Sequence, residues 1–180
     1  MALAEHRSGP FTVEDVWAIP DDCFRYELLD GVLIVSPSPY VDHQRVVIRL
    51  ALLLTLAGQP DYETLPAPLD WKISNERMFE PDILVIRSDD PAYKRIEHPP
   101  LLAVEVLSPS SRIRDWNDKR VAYGEAGLPV YWIVDPAGPS LTVFELEGET
   151  LVQRAQVTGE EAYMAQHPFS VEVVPARLVR

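Results

Sequence analysis

Two short apolar runs on either side of a polar segment constrain the fold of this chain most. Residues 101–107 (LLAVEVL) and 130–134 (VYWIV) have the length and composition of buried strands. Between them, Ser110 and Ser111 can cap a helix that runs to about Ala126, where a glycine ends it. Two strands joined through such a helix form a parallel pair, so the sequence predicts a mixed sheet with helices on its faces.

The remaining elements follow from turn residues and apolar spacing. We expect a short helix between Thr12 and Pro20, a hairpin at Asp30–Gly31, a long helix over residues 40–58, a buried strand at 83–86, a hairpin across Glu147–Gly148 and an edge strand in residues 169–179. No internal repeat or low-complexity linker interrupts the chain. This predicts a single domain over residues 1–180.

The charge balance excludes some partners and favours others. Sixteen basic and 28 acidic residues give a net charge of −12, which disfavours unassisted binding to nucleic acid or to an anionic membrane. A divalent cation bound in a local site would make the charge there positive. Cys23 is the single cysteine, so an intrachain disulfide is excluded. The start of the chain lacks the apolar core of a signal peptide, and the longest apolar run is too short for a membrane span, so we expect a cytoplasmic protein.

A glutamate within an apolar strand needs an explanation. Glu105 interrupts the run at residues 101–107, and charged side chains are rarely buried unless they are paired or hold a metal. Asp82 stands at the mouth of the preceding buried strand. Two carboxylates on neighbouring strands can share a hard cation such as Mg²⁺. Alternatively, Asp82 is an exposed turn residue, and Glu105 lies at a sheet edge or is paired with an arginine.

Three further residues can reach the same end of the sheet. Lys119 lies on the helix after the strand of Glu105, where it either approaches the carboxylates or forms a surface pair with Asp115. His43 lies on the apolar face of the long helix, as a core residue or as a ligand. Glu27 precedes the first hairpin, and strand alternation alone does not turn it inward.

Four segments together resemble a known family. They are RYELLDG, SPYVDHQRVV, FEPDILVI and LAVEVLSPSSRIRDWNDKRVAYGEAGLPVYWIVDP. In order and spacing they are similar to the Uma-type family of restriction-endonuclease-like proteins, which is placed in the PD-(D/E)xK nuclease superfamily. The resemblance runs from about Phe11 to Pro136. It implies a restriction-endonuclease-like α/β fold of mixed α+β type, in which a mixed β-sheet is flanked by helices and followed by a β-rich C-terminal tail.

The resemblance also implies roles for individual residues. Asp82 corresponds to the acid of the PD motif and Glu105 to the acid of the (D/E)xK motif, so both would hold Mg²⁺ or Mn²⁺. The motif lysine is expected at position 107, where this chain has Leu107, and the resemblance places it instead at Lys119. His43 would act as a general acid or an additional ligand. The surrounding positions that match are Glu27, Ser108, Ser110 and Tyr123.

The function that the resemblance implies is metal-dependent endonuclease activity on nucleic acid, with DNA as the expected substrate. Two alternatives stay open: a non-catalytic member that binds a protein or nucleic-acid partner, and a metal-dependent hydrolase of a small phosphorylated substrate. The basic cluster Arg112, Arg114, Lys119 and Arg120 is either the edge of a cleft or a solvated helix face. A homodimer is expected, with Trp132, Phe144 and the tail as a candidate interface.

Overall fold

The helices of the chain are short, apart from one that packs along the central sheet. The computed structural model describes residues 9–20, 24–92, 94–109 and 111–180. Within these residues the helices are α1 (Val13–Trp17), α2 (Val41–Gly58), α3 (Arg112–Arg114), a π-helical turn (Asp115–Lys119), α4 (Arg120–Glu125) and α5 (Pro175–Val179). No described helix is long and apolar enough to cross a membrane.

The strands of the described residues form three sheets, of which one is central. The strands are β1 (Arg25–Leu29), β2 (Val32–Ser36), β3 (Tyr62–Pro66), β4 (Trp71–Lys72), β5 (Met78–Phe79), β6 (Ile83–Arg87), β7 (Leu102–Val106), β8 (Val130–Asp135), β9 (Ser140–Glu147), β10 (Thr150–Thr158), β11 (Tyr163–Ala165) and β12 (Val171–Val173). The central sheet has the order β10-β9-β8-β7-β6-β3, and a smaller sheet has the order β2-β1-β5-β4. β7 and β8 pair in parallel, whereas β6 and β7 pair antiparallel. The predicted mixed sheet is therefore confirmed.

Several local predictions are confirmed together with their physical reasons. Thr12 caps α1 through a hydrogen bond from the backbone N–H of Asp15. Asp30 and Gly31 both have positive φ, as the tight turn between β1 and β2 requires. Gly127 has a φ of 81° and ends the helical segment that follows β7.

Successive residues of β7 face opposite layers of the core. Val104 and Val106 pack with α2, whereas Ala103 packs with Tyr123 of α4. Because side chains alternate along a strand, Glu105 faces the same side as Ala103. The acid therefore points towards the helical segment that carries Lys119.

Two predictions about the tail and its neighbours are wrong. Residues 169–179 do not add an edge strand to the central sheet, because β12 pairs with β11 in a separate two-stranded sheet and α5 follows. The apolar side chains of β12 instead join the core beside α2. Trp132 and Phe144 are buried in the core, so they are not available as an interface. A homodimer itself stays a prediction.

The start of the second helical segment also differs from expectation. Ser111 precedes α3 but makes no capping hydrogen bond to it. Its backbone N–H is instead bonded to the hydroxyl of Ser108, in a turn before the helix. Ser110 and Cys23 lie outside the described residues.

Candidate active site

Asp82 and Glu105 face each other across two neighbouring strands. Ile83 pairs with Val104, and Leu84 with Ala103, in the antiparallel ladder of β6 and β7. One step further along this register, Asp82 stands opposite Glu105, so the two side chains project to the same face. Both are almost fully buried, with 3% and 2% exposure.

Three donors surround the carboxylate of Asp82. Oδ1 accepts a hydrogen bond from Arg25 Nη1 at 2.9 Å, and Oδ2 accepts one from the backbone N–H of Val106 at 2.8 Å. His43 Nε2 lies 3.1 Å from Oδ2. Burial alone would raise the pKa of Asp82, but the His43 hydrogen bond and the Arg25 charge outweigh it and lower the pKa to about 2. Asp82 is therefore held in its ionised form.

Glu105 has a different environment. Its Oε1 accepts hydrogen bonds from Lys119 Nζ and from the hydroxyl of Tyr123, both at 2.8 Å. Burial raises the pKa of Glu105 to about 8; the Lys119 charge opposes this rise, while Asp115 and Asp82 add to it. Glu105 therefore holds a proton more readily than an ordinary carboxyl group does.

Lys119 turns inward rather than lying on the surface. Its ammonium also donates to Glu27 Oε1 at 2.8 Å and lies 3.6 Å from Asp115 Oδ1. Burial alone would lower the pKa of Lys119, but Glu105 and Glu27 outweigh it and raise the pKa. The interpretation of Lys119 as one half of a surface pair is wrong, because both it and Asp115 are buried.

A π-helical turn brings Asp115 and Lys119 into the site together. The turn spans Asp115–Lys119, and the hydroxyl of Tyr131 donates to the main-chain oxygen of Asp115 at 3.0 Å. Such wide turns inside helices are frequent at functional sites. The buried carboxylate of Asp115 lies beside the side chains of Lys119 and Ser111. Burial raises the pKa of Asp115.

Sequence reasoning missed Arg25 and Glu80 as site residues. Arg25 contacts Asp82, lies 3.5 Å from Glu27 and is 3.6 Å from Glu80. The signal was present, because Arg25 and Glu27 are two residues apart on β1 and share one face. Burial raises the pKa of Glu80 to about 7. Nothing in the sequence around Glu80 marks it as part of the site.

The predicted site residues converge on one cavity of about 160 Å³. Those that line it are Glu27, His43, Asp82, Glu105, Ser108 and Lys119. Tyr123 lies behind them and reaches the site through Glu105. Ser108 bonds to the hydroxyl of Ser111 at 3.1 Å and contributes to the wall.

The basic cluster of the helical segment is divided among several environments. Lys119 is buried, and Arg114 lies 3.9 Å from Glu27 at the cavity. Arg112 pairs with Asp135 at 2.8 Å, and Arg120 lies over the ring of Phe144. The cluster is therefore neither one solvated face nor one continuous basic edge.

The connected ion pairs of the site carry more acids than cations. Among the described residues, five carboxylates (Glu27, Glu80, Asp82, Glu105 and Asp115) contact three cations (Arg25, Arg114 and Lys119) and the imidazole of His43. With the carboxylates and the three cations charged and His43 uncharged, two negative charges stay unbalanced. Protons or one divalent cation can neutralise this excess, and the raised pKa values of Glu80, Glu105 and Asp115 have the direction that uptake of protons requires.

The donor set fits a cation that keeps most of its water. No three His, Cys, Asp or Glu side chains of the described residues form a ready metal cage. Two opposed carboxylates and an excess of two negative charges suit Mg²⁺, which commonly binds through one or two carboxylates and water. His43 is turned to Asp82, and its Nδ1 is buried without a hydrogen-bond partner among the described residues.

The family comparison and the structure comparison both identify nuclease-like proteins. The family model Uma2, described as "Putative restriction endonuclease", matches residues 13–175 and so extends through the tail. A crystal structure from Anabaena variabilis, described as a "putative nuclease belonging to DUF820", superposes with a TM-score of 0.76 at 16% identity, covering 94% of this chain and 98% of that one. At this identity the likeness shows the restriction-endonuclease-like, mixed α+β fold. No curated protein matches.

Proposed function

Because this chain belongs to the Uma2 family, whose model is described as "Putative restriction endonuclease", we propose that it is a metal-dependent endonuclease that hydrolyses phosphodiester bonds of nucleic acid. The family and the fold support a nuclease-type function in general. One observation carries the finer proposal: Asp82 and Glu105 oppose each other in one buried cavity, with Lys119 Nζ 2.8 Å from Glu105.

Asp82 and Glu105 would hold the cation, Mg²⁺ or Mn²⁺. A divalent ion there would polarise a phosphoryl oxygen and lower the pKa of a bound water. Tyr123 fixes Oε1 of Glu105, and the Val106 N–H fixes Oδ2 of Asp82. Each carboxylate is thus oriented before substrate arrives, which limits the reorganisation needed during the reaction.

Lys119 is suited to stabilising negative charge rather than to removing a proton. Its raised pKa keeps the ammonium protonated, because Glu105 and Glu27 surround it. A protonated amine can orient a water or donate to a phosphoryl oxygen, but it cannot act as a base. Glu27, on β1, accepts a hydrogen bond from Lys119 and so helps to hold its ammonium in place. His43 orients Asp82 through Nε2 and is our candidate for a general acid.

Calorimetric titration of Mn²⁺ into the wild type, Asp82→Asn and Glu105→Gln tests the metal site. We expect the wild type to bind and each variant to lose at least about tenfold in affinity. Asp118→Asn is a matched control, because Asp118 is an exposed acid in the same π-helical turn. Equal binding by all four proteins would refute the site. Because Glu105 has a pKa of about 8, binding near neutral pH should release a proton, which titrations in two buffers of different ionisation enthalpy reveal.

Cleavage assays then address the reaction. Labelled single- and double-stranded DNA, with Mg²⁺ or with EDTA, should be cut by the wild type only when metal is present.

Cavity size and the net charge of −12 favour one second candidate, a hydrolase of small phosphorylated substrates. Release of phosphate from nucleotides, without cleavage of polynucleotides, would select that alternative. Absence of metal binding would instead favour the non-catalytic member.

A further inference from the structure

Resting on the proposed function, we infer that Arg25 is the residue that binds the phosphate of the substrate. Its guanidinium contacts the Asp82 carboxylate that the cation would bind under that proposal. Once Asp82 is committed to a cation, the guanidinium is free to bind a phosphate group that enters the cavity.

The contacts of Arg25 leave most of its donors unused. A guanidinium has five N–H donors. Among the described residues, one of them makes a full hydrogen bond, from Nη1 to Asp82 Oδ1 at 2.9 Å. Its other contacts, to Glu27 at 3.5 Å and Glu80 at 3.6 Å, are ion pairs without hydrogen-bond geometry. Nε is buried without a hydrogen-bond partner among these residues. The acids of the site therefore attract Arg25 by charge, but they do not occupy all of its N–H donors.

Arg25 is also better placed than Lys119 to meet a ligand. The side chain of Arg25 is 27% exposed and lines the cavity, whereas that of Lys119 is 2% exposed and is enclosed by three carboxylates. The planar fork of a guanidinium matches two phosphate oxygens at once, which an ammonium does not. Under the proposed function, the ligand that this fork would bind is the phosphodiester of the substrate.

Because Arg25 contacts Asp82, replacing Arg25 should change the affinity for a cation and the affinity for phosphate in opposite directions. Removing a positive charge from an acidic cluster strengthens the binding of another cation, and removing Arg25 also frees Oδ1 of Asp82. The same change removes the phosphate fork. Arg25→Gln should therefore bind Mn²⁺ more tightly and bind phosphate more weakly. A purely structural arginine would not produce this combination.

Arg114→Gln is the matched control. Arg114 lines the same cavity with similar exposure, 25%, and approaches Glu27 at 3.9 Å without contacting Asp82. We would measure Mn²⁺ affinity by calorimetry. Affinity for a short labelled single-stranded oligonucleotide would be measured by anisotropy with Ca²⁺ present. Arg25→Gln should lose about tenfold in oligonucleotide affinity and gain several-fold in Mn²⁺ affinity. Arg114→Gln should show smaller changes in both.

The outcomes separate this inference from the proposed function. If the wild type binds no Mn²⁺, the proposed function fails and the role of Arg25 fails with it. If the wild type binds Mn²⁺ but Arg25→Gln binds Mn²⁺ more weakly or leaves oligonucleotide affinity unchanged, only the role of Arg25 is overturned. Should Arg25→Gln not fold, Arg25→Lys keeps the charge and removes the fork. It should leave Mn²⁺ affinity within about twofold of the wild type and weaken oligonucleotide binding, and unaltered oligonucleotide binding would overturn the inference.

Discussion

Asp82 and Glu105 are opposed acids, yet their surroundings shift their pKa values in opposite directions. Asp82 is buried, but Arg25, His43 and a backbone N–H contact its carboxylate and lower its pKa to about 2. Burial raises the pKa of Glu105 to about 8, and Lys119, which Glu105 shares with Glu27, only partly opposes this rise. Simple repulsion between the two acids would raise both values. The ordered donors around Asp82 decide the difference.

We predict that neutralising the two acids has unequal effects on stability in EDTA. The folded pKa of Glu105, about 8, lies above its ordinary value of 4.5, so the wild type loses stability as pH rises through this interval. Glu105→Gln removes that loss and should melt several degrees above the wild type near pH ~9, but close to it near pH ~5. Thermal unfolding followed by circular dichroism measures both values. A lower melting temperature for Glu105→Gln near pH ~9 would mean that its ion pair with Lys119 outweighs the cost of burial.

Asp82→Asn should destabilise the protein instead. The folded pKa of Asp82, about 2, lies below its ordinary value of 3.8, so its stabilisation is present above pH 3.8 and is lost as pH falls through 2. Both oxygens accept hydrogen bonds, so an amide NH₂ in either orientation would face a donor. We expect a loss of about 3 kcal/mol near neutral pH in the same melting experiment. An unchanged melting temperature would show that Arg25 and Val106 find other partners.

At the scale of residues, the sequence predicts a site residue where a charged side chain interrupts an apolar pattern. Glu105 stands out in this way, and the family resemblance adds Asp82, His43 and Lys119. Arg25, Glu80 and Asp115 were not predicted as site residues, because none of them interrupts a long apolar run and a charged side chain is ordinarily expected at the surface. Their positions in the site depend on the approach of β1, β5 and the π-helical turn, which is a tertiary feature.

At the level of elements, the segment between β7 and β8 has to place Lys119 against a strand. Gly124 lies on α4 at its contact with the hairpin of β9 and β10. A Cβ at Gly124 would lie 2.7 Å from the main-chain oxygen of Glu149 and 3.3 Å from the N of Leu151. The glycine therefore allows a close approach of two backbones, which fixes the helix that follows Lys119.

We predict that Gly124→Ala destabilises the protein, against the usual trend in helices. Alanine within a helix ordinarily gains up to about 1 kcal/mol over glycine. The clash with main-chain atoms of Glu149 should reverse this and cost about 1–3 kcal/mol. Gly138→Ala is the control, because no atom lies within 4 Å of its Cβ position. Urea unfolding measures both, and a stabilised Gly124→Ala would show that the hairpin yields without cost.

Elements were predicted well where capping, turn and apolar signals are local. The hairpin at Asp30–Gly31, α1, α2 and the parallel pair β7–β8 are examples. The π-helical turn was not predicted, because no local pattern in Asp115–Lys119 distinguishes it from an ordinary helix. In the structure, the hydroxyl of Tyr131 bonds to the main-chain oxygen of Asp115. The pairing of β12 with β11 is likewise set by long-range contacts with the core at α2.

For the whole molecule, a net charge of −12 has to be reconciled with a polyanionic substrate. Around the cavity and the adjoining groove, the exposed or half-exposed cations are Arg25, Arg112 and Arg114. Lys119 is buried among carboxylates and adds little to a long-range field. The acidic remainder of the surface repels a duplex, whereas a single strand can approach with few phosphates close to the protein. Substrate binding should therefore depend on the cation and on Arg25, with Arg112 and Arg114 as smaller contributors.

This charge distribution predicts a shallow salt dependence of binding. If at most three phosphates are neutralised by Arg25, Arg112 and Arg114, the logarithm of the affinity for a single strand should fall with the logarithm of salt concentration with a slope of about −2 or shallower. Anisotropy with a labelled oligonucleotide in Ca²⁺, over a series of KCl concentrations, measures the slope. Arg112→Gln should reduce its magnitude by about 0.7, whereas Arg177→Gln, on the exposed face of α5, should not. A slope several times steeper would place the nucleic acid on a broader basic surface, and the cavity arginines would then be minor contributors to affinity.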